Sequence, residues 1–178
     1  TIKITLLAIL VIIGIFLVTA FLAPKDYSIV REVNISKPKQ EVFDYIKHLK
    51  NQGEYSKWQT MDPGMKKTFE GVDATVGFIA GWDSENPDVG IGEQEILKIT
   101  EGERIDFELR FKDPFENTQL AYMTTEAISP TETKVQWGFE GHMAPPMNIM
   151  MLVMDFETMI GDDLQTGLDN LKVKLEAN

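Results

Sequence analysis

The stretch Arg104-Ile-Asp-Phe-Glu-Leu-Arg-Phe111 alternates without exception between polar and apolar side chains. Successive side chains of an extended strand point to opposite faces, so this strand has one charged face and one apolar face. Residues 134–141 repeat the pattern, with Val135, Trp137 and Phe139 on the apolar face. One buried face and one solvated face are typical of an antiparallel sheet. The two stretches therefore predict strands of such a sheet.

Further stretches rich in strand-forming residues alternate with short turns that contain Gly, Pro and Asp. The other predicted strands are residues 27–35, 66–70, 75–82, 91–100 and 117–128. After the first of them the apolar spacing becomes helical. It predicts an amphipathic helix over 38–49, whose apolar face carries Val42, Phe43, Ile46 and Leu49.

The last part of the chain, after Pro145-Pro146, returns to a helical period and predicts one long helix. Its apolar stripe consists of Phe156, Ile160, Leu164, Leu168, Leu171 and Leu175. A long amphipathic helix must bury its stripe, and the apolar face of the sheet is the only large partner that this chain offers. We therefore predict an α+β protein in which a curved antiparallel sheet of about six to seven strands wraps a long C-terminal helix. A cavity between the two is an expected consequence.

Twenty residues without a charge, 4–23, precede this domain. As a helix they span about 30 Å, the thickness of a hydrocarbon core. Pro24 then ends the helix, and Lys25-Asp26 mark the interface. We favour an uncleaved anchor over residues 1–24 and a folded domain over 25–178. The alternatives are a signal peptide, with a weak cleavage site after Val18-Thr19-Ala20, and a buried core helix.

Composition excludes several classes of function. The 178 residues include no Cys, which excludes disulfides, thiolate catalysis and cysteine-bound metals, and the two His leave little for a histidine metal site. Residues 25–178 carry a net charge of −12, from 16 basic and 28 acidic side chains, which disfavours nucleic acid as a partner. Nucleotide, hydrolase and calcium motifs are absent from the sequence. We predict no metal and no cofactor.

The charges around the apolar segment bear on its orientation. Lys3 is the one basic side chain before it, whereas Lys25, Arg31, Lys37 and Lys39 follow it. The positive-inside rule therefore favours a cytoplasmic domain. The opposite side stays open, because Lys37 and Lys39 are expected within folded structure and because very short N-terminal tails direct topology weakly.

The stretch Val33-Asn-Ile-Ser-Lys-Pro-Lys-Gln-Glu-Val-Phe-Asp-Tyr-Ile46, with Trp58 after it, resembles the SRPBCC superfamily. That superfamily includes START lipid-transfer domains, birch-pollen-allergen-like proteins and polyketide cyclase/dehydrase-like proteins, and the likeness is closest to the last group. Arg104-Ile-Asp-Phe-Glu-Leu109, Lys134-Val-Gln-Trp-Gly-Phe139 and the long final helix extend the resemblance over residues 27–175.

The resemblance implies the helix-grip fold and a cavity for a hydrophobic ligand. Members bind lipids, sterols, polyketides or plant hormones, and some catalyse cyclisation or dehydration, but no shared catalytic motif exists to carry over. Bacterial relatives with a single N-terminal span imply a single-pass protein of a bacterial-type inner membrane.

We therefore expect a membrane-anchored domain that binds a hydrophobic small molecule or lipid without converting it. Its expected partners are the lipid bilayer and that ligand. One alternative is an accessory subunit of a larger membrane protein complex, since Ala8 and Gly14 permit close helix packing. The other is an enzyme of cyclase/dehydrase type.

The enzyme alternative requires an acid or base, for which the candidates are Glu93, Glu95, Tyr122 and His142. If Glu93 and Glu95 share a face with Ile91 and Ile99, both carboxylates face the cavity, and burial would raise their pKa. The opposite register, or a bulge, places them in water, and we expect that orientation. For His142 we likewise expect a side chain that is solvated or hydrogen-bonded instead of catalytic.

The predicted cavity lining is mostly aromatic and apolar. It consists of Trp58, Trp82, Phe107, Leu109, Tyr122, Trp137, Phe139, Met147, Met151, Phe156 and Met159. Plain core packing is the alternative for Trp137. Six of the nine methionines fall within residues 143–159. This segment could form an adaptable cavity wall, fill gaps in the core, or contact a bilayer or partner helices, and the sequence leaves these three roles open.

Overall fold

The computed structural model describes residues 2–113 and 116–177. Its strands form one seven-stranded antiparallel sheet in the order β1-β7-β6-β5-β4-β3-β2. The strands are β1 (Asp26–Ile35), β2 (Lys66–Glu70), β3 (Ile79–Asp83), β4 (Ile91–Thr100), β5 (Arg104–Asp113), β6 (Asn117–Ser129) and β7 (Glu132–His142). The helices are α1 (Ile2–Leu22), α2 (Lys39–Ile46), α3 (Lys57–Met61), α4 (Met150–Val153) and α5 (Phe156–Glu176). Two 3₁₀ helices, Leu49–Glu54 and Met147–Ile149, complete the elements. The prediction of the helix-grip fold is confirmed.

Two predicted elements differ in extent. The predicted strand 75–82 begins later, at Ile79, because residues 75–78 form a turn in which the Phe78 N–H donates to the Thr75 carbonyl. Gly77 within that turn has a φ of +85°, which glycine adopts without strain. The helix predicted over 38–49 ends at Ile46, and a separate 3₁₀ helix begins at Leu49.

The long helix α5 lies against the inner face of the sheet. The Asp155 carboxylate caps its first turn by accepting from the Thr158 N–H at 3.0 Å. Leu164, Leu168, Leu171 and Leu175 are buried, as the predicted stripe requires. At Gly167 the helix approaches the sheet closely, since a Cβ there would lie 2.8 Å from Cζ3 of Trp137. The missing side chain therefore sets the spacing between α5 and the sheet.

The register brings several strand ends together at one end of the sheet, near α1. Asp26 at the start of β1 pairs with His142 at the end of β7, and Asn117 at the start of β6 pairs with Phe111 near the end of β5. Ile91 at the start of β4 pairs with Asp83 at the end of β3. Because β1 begins directly after α1, we call this the α1-proximal end of the sheet.

Helix α1 stands apart from the folded domain. Its apolar side chains are exposed along most of the helix. Among the described residues, it is the one helix that is long and apolar enough to cross a membrane. A signal sequence near the N-terminus meets the same criteria of length and apolarity. Burial begins only at its end, where Ala20 and Ala23 contact the domain.

Candidate ligand-binding site

A cavity of about 210 Å³ lies between the inner face of the sheet, the first half of α5 and α3. It occupies the α1-proximal half of the domain. Its aromatic walls are Trp58, Trp82, Phe111, Trp137 and Phe139. The aliphatic lining residues are Val89, Leu109, Ala121, Ile160 and Leu164, and the polar ones are Gln52, Ser56, Gln59, Asp88 and Gln94. The lining is therefore mainly apolar with a small polar group, as small-molecule sites generally are.

Edge-to-face contacts hold the aromatic walls. The rings of Trp58 and Trp137 lie 6.3 Å apart at 82°, and those of Trp82 and Phe111 lie 5.9 Å apart at 73°. Such arrangements are favoured by the ring quadrupoles. The Trp82 indole N–H also donates to the Val89 carbonyl at 3.3 Å, which ties β3 to the loop before β4. The cavity is thus bounded by rings that other rings and backbone groups hold in place.

The polar part of the lining centres on Gln52, in the 3₁₀ helix Leu49–Glu54. This side chain is 5% exposed, and its amide nitrogen has no hydrogen-bond partner within residues 2–113 and 116–177. It lies near the Tyr55 hydroxyl without meeting the geometry of a hydrogen bond. A buried amide left without an acceptor costs free energy. Gln52 is therefore a buried polar side chain of the lining, with its amide nitrogen turned towards Tyr55.

Charge is scarce around the cavity. Among the described lining residues, Asp88 is the one ionisable side chain, and it is exposed in the loop between β3 and β4. Lys, Arg and His do not occur in that lining. The arrangement has no cation with which to neutralise a buried anion, and burying an unpaired charge is costly. A neutral ligand fits this lining best.

The structure places five of the predicted lining residues around this cavity: Trp58, Trp82, Leu109, Trp137 and Phe139. Four of them lie on strands, where period-two alternation assigns them to the inner face. Trp58 is in α3, and it was predicted from the superfamily resemblance.

Phe107 and Tyr122 lie elsewhere. Phe107 is fully buried in the core, one inward position beyond Leu109 along β5. Tyr122 is on the outer face, because its neighbours Ala121 and Met123 both point inward. Its ring lies against Gly138 and under the Arg104 guanidinium, 3.8 Å from the ring centroid. Neither side chain lines this cavity.

Four predicted lining residues near the start of α5 also lie outside the cavity: Met147, Met151, Phe156 and Met159. Met147 and Met159 are more than half exposed. Phe156 stacks on Tyr27 at a centroid distance of 5.7 Å. Helix α5 begins only at Phe156, and the residues before it form two separate short helices, the first of which contacts the end of α1.

The two candidate glutamates lie on the outer face of the sheet. A register shift between Ile96 and Lys98 breaks the alternation of β4, so Gln94 and Ile96 face inward and Glu93 and Glu95 face outward. The Arg110 guanidinium lies 2.7 Å from a carboxylate oxygen of each glutamate.

The Lys112 ammonium and the Arg110 guanidinium hold the pKa of Glu93 below its usual range. A buried acid or base would require the opposite shift. The expectation that these carboxylates face water agrees with their position.

His142, the remaining candidate, lies at the α1-proximal end of the sheet. Its Nδ1 is 2.6 Å from the Asp26 carboxylate, and both side chains are exposed. Neither lines the cavity. None of the four candidate catalytic residues is therefore brought to the cavity. Within the described part of the chain, no group of three or more His, Asp or Glu side chains converges as a metal site would.

Sequence reasoning missed the polar lining residues. Gln52, Ser56 and Gln59 fall in a segment without periodicity, which gave no signal for their orientation. Phe111 could have been found, because it continues the alternation of Phe107 and Leu109.

The seven-stranded sheet, the long helix α5 and the apolar cavity between them define a helix-grip domain. No family model matches the sequence. No curated protein matches it either. Solved structures do share the fold. Truncated norcoclaurine synthase from Thalictrum flavum superposes with a TM-score of 0.62 at 11% identity, over 87% of this chain and 96% of that one.

Two further structures show the same likeness. Protein MLL2253 from Mesorhizobium loti gives a TM-score of 0.60 at 17% identity, over 85% of this chain and 98% of the other. Ara h 8.0201 gives 0.55 at 11% identity, over 86% and 99%. At these identities the similarity establishes the fold, and the function has to be argued from the cavity.

Proposed function

We propose that this chain is a membrane-anchored member of the SRPBCC superfamily that binds a small, neutral, mainly apolar molecule in the cavity without converting it. The observation that carries the proposal is the lining itself. Five aromatic and five aliphatic side chains surround a space whose one ionisable neighbour, Asp88, is exposed. Such a lining provides affinity through apolar burial and offers few groups for acid–base chemistry.

The size of the cavity limits the ligand. Its volume of about 210 Å³ is below the roughly 300–1,000 Å³ of typical small-molecule sites. A one- or two-ring molecule, or the end of a longer chain, fits such a space, whereas a whole phospholipid does not. The free Gln52 amide favours a ligand that carries a hydrogen-bond acceptor such as a carbonyl oxygen.

Helix α1 supports the membrane part of the proposal. It has the length and apolarity of a single span, and the cavity lies in the half of the domain next to it. Apolar ligands concentrate in the bilayer, so an anchor would keep the binding domain beside its source. We place the domain on the cytoplasmic side of a bacterial-type inner membrane, from the basic residues that follow α1.

A titration tests the binding proposal. The full chain, purified in mild detergent and stripped of lipid, is titrated with 2-acetylnaphthalene by isothermal calorimetry. We expect saturable 1:1 binding. Replacing Ile160, which lines the cavity from α5, with Trp fills part of the space and should weaken binding by roughly tenfold or more, equivalent to about 1.4 kcal/mol.

The matched control is Val173→Trp, an exposed position at the far end of the same helix. This variant should bind as the wild type does. Equal affinities for the Ile160→Trp and wild-type chains, or no saturable binding to either, would contradict the proposed site.

A further inference from the structure

Asn148 joins the end of α1 to the segment before α5. Its side chain is fully buried, and its amide nitrogen lies 2.7 Å from the Ala20 carbonyl, 3.2 Å from the Ala23 carbonyl and 3.3 Å from the Pro24 carbonyl. The last carbonyls of a helix have no partner within the helix and need an outside donor. Asn148 supplies it, and so fixes the 3₁₀ helix Met147–Ile149, which α4 directly follows, beside the end of α1.

Apart from Asn148, residues 147–153 are apolar, and three of their side chains are more than half exposed. This segment comprises the 3₁₀ helix Met147–Ile149 and helix α4. Met147 is 52% exposed, Leu152 53% and Val153 78%. No charged side chain occurs between His142 and Asp155, which caps α5. Exposed apolar groups in such a cluster mark a surface that contacts something other than water.

We propose that residues 147–153 lie in the interfacial region of the bilayer, as a second membrane contact beside α1. This inference rests on the proposed membrane span of α1. The occupant is lipid because Asn148 holds the segment against the end of α1, whose apolar side chains are otherwise exposed along the proposed span. Binding at the membrane interface requires only that apolar side chains enter the bilayer to a shallow depth, and Met and Leu side chains can do so.

Carboxylates mark how deep the segment lies. Asp26, paired with His142, precedes it and Asp155 follows it, and both carboxylates are exposed. Charged side chains stay in water or among headgroups. These residues therefore limit the inserted part to the apolar segment between them, near the level of Lys25, which follows the end of α1.

A second contact has a consequence for the cavity. A single helix followed by a flexible joint leaves a domain free to tumble, whereas two contacts fix its orientation. Because residues 147–153 lie beside the end of α1, the α1-proximal end of the sheet faces the membrane. The cavity lies in that half of the domain, so its ligand is taken from the bilayer side.

Single-cysteine spin labelling tests the inference directly, since the chain contains no native Cys. The full chain is reconstituted in phosphatidylcholine vesicles with a nitroxide label at Val153→Cys. The matched control is Val173→Cys, 70% exposed near the end of α5. A third label, at Ile12→Cys in the middle of α1, reports whether α1 spans. Accessibility to oxygen, which partitions into lipid, is compared with accessibility to a water-soluble nickel chelate.

We expect the label at position 153 to be more accessible to oxygen than to the chelate, and the label at 173 to show the reverse. If the label at 12 is in lipid but 153 is as open to the chelate as 173, the second contact is wrong and the span stands. Chelate protection at 153 that also occurs in detergent, with a higher mass of the complex, would assign the segment to a protein partner and overturn the lipid contact. If the label at 12 is open to the chelate, both the span and this inference fail.

Discussion

The two halves of the space between the sheet and α5 are built from the same elements but filled differently. In the half away from α1, Ile96, Ile105, Met123, Leu168 and Leu171 are fully buried in one continuous core. In the α1-proximal half the inward positions include the small Gly92 and Ala121 and the amide Gln94. A cavity remains where large aliphatic side chains are replaced by small or polar ones.

Under the proposed function, stability and ligand binding would reside in separate halves of the domain. Close packing in the far half supplies burial that does not depend on a ligand. In the α1-proximal half less apolar surface is buried, and the rings of Trp58, Trp82 and Trp137 line the remaining space. Substitutions in the far half should therefore mainly lower the free energy of unfolding, whereas substitutions in the α1-proximal half should mainly change ligand affinity.

The largest difference is expected for truncation of a leucine. Leu168→Ala empties a fully buried site and should lower the free energy of unfolding by about 3 kcal/mol. Leu109→Ala enlarges a cavity that is already present and should cost about 1 kcal/mol. Urea unfolding of both variants measures the two costs, and equal costs would show that the two halves are packed alike.

A smaller effect is expected where α5 meets Trp137. Gly167→Ala adds a methyl group 2.8 Å from the ring, and overpacking of roughly 1–3 kcal/mol outweighs a helix-propensity gain of about 1 kcal/mol. The ring must also shift, so affinity for 2-acetylnaphthalene should fall severalfold.

The control for this substitution is Thr166→Ala, on the same turn of α5 but half-exposed. It should leave both stability and binding near wild-type values. Gly167→Ala with wild-type affinity would show that the position of Trp137 does not set the shape of the cavity.

Gln52→Leu distinguishes the effect of the buried amide on stability from its effect on ligand affinity. Removing a buried donor that lacks a partner should raise the stability of the empty protein by about 1 kcal/mol. Binding of 2-acetylnaphthalene should weaken by roughly fivefold, whereas binding of 2-ethylnaphthalene, which has no acceptor, should not weaken. Gln59→Leu, at a half-exposed lining position, should change neither value much. The same loss for both ligands would mean that Gln52 only shapes the wall.

The smallest effect belongs to the outer face. Arg110→Met removes the guanidinium that lies between Glu93, Glu95 and Glu108, and should cost at most about 1 kcal/mol at neutral pH, since these pairs are near the surface. The pKa of Glu93 is lowered in the folded protein, so its contribution is present above its ordinary pKa and is lost as the pH falls through its lowered value.

The stability difference between wild type and this variant should therefore shrink when unfolding is measured below about pH 4. Ligand affinity should not change. A difference that persists undiminished in acid would show that Arg110 acts through packing instead of charge.

The fold could be predicted because its signals are local. The alternation of residues 104–111 and the stripe of α5 each require one buried face, and each is buried in the structure. The cavity could be predicted only in part. The alternation within β5 and β7 predicts that Leu109, Trp137 and Phe139 face inward. The register shift in β4 and the outward orientation of Tyr122 depend on how strands pair, and the sequence of a single strand does not determine that pairing.

The methionine-rich segment illustrates the same limit. Its composition left a cavity wall, core and membrane contact open, and the hydrogen bonds of Asn148 to the end of α1 decide where it lies. Those bonds join residues that are more than 120 positions apart, so the sequence pattern does not contain them.

The most direct test of the central claim is a native mass spectrum of the full chain, purified gently in mild detergent, beside that of Ile160→Trp. The account predicts one small neutral molecule bound per wild-type chain, identifiable after extraction as a compound with an acceptor oxygen, and its loss from the variant. A wild-type chain without bound molecules, or an added mass that Ile160→Trp retains, would contradict it.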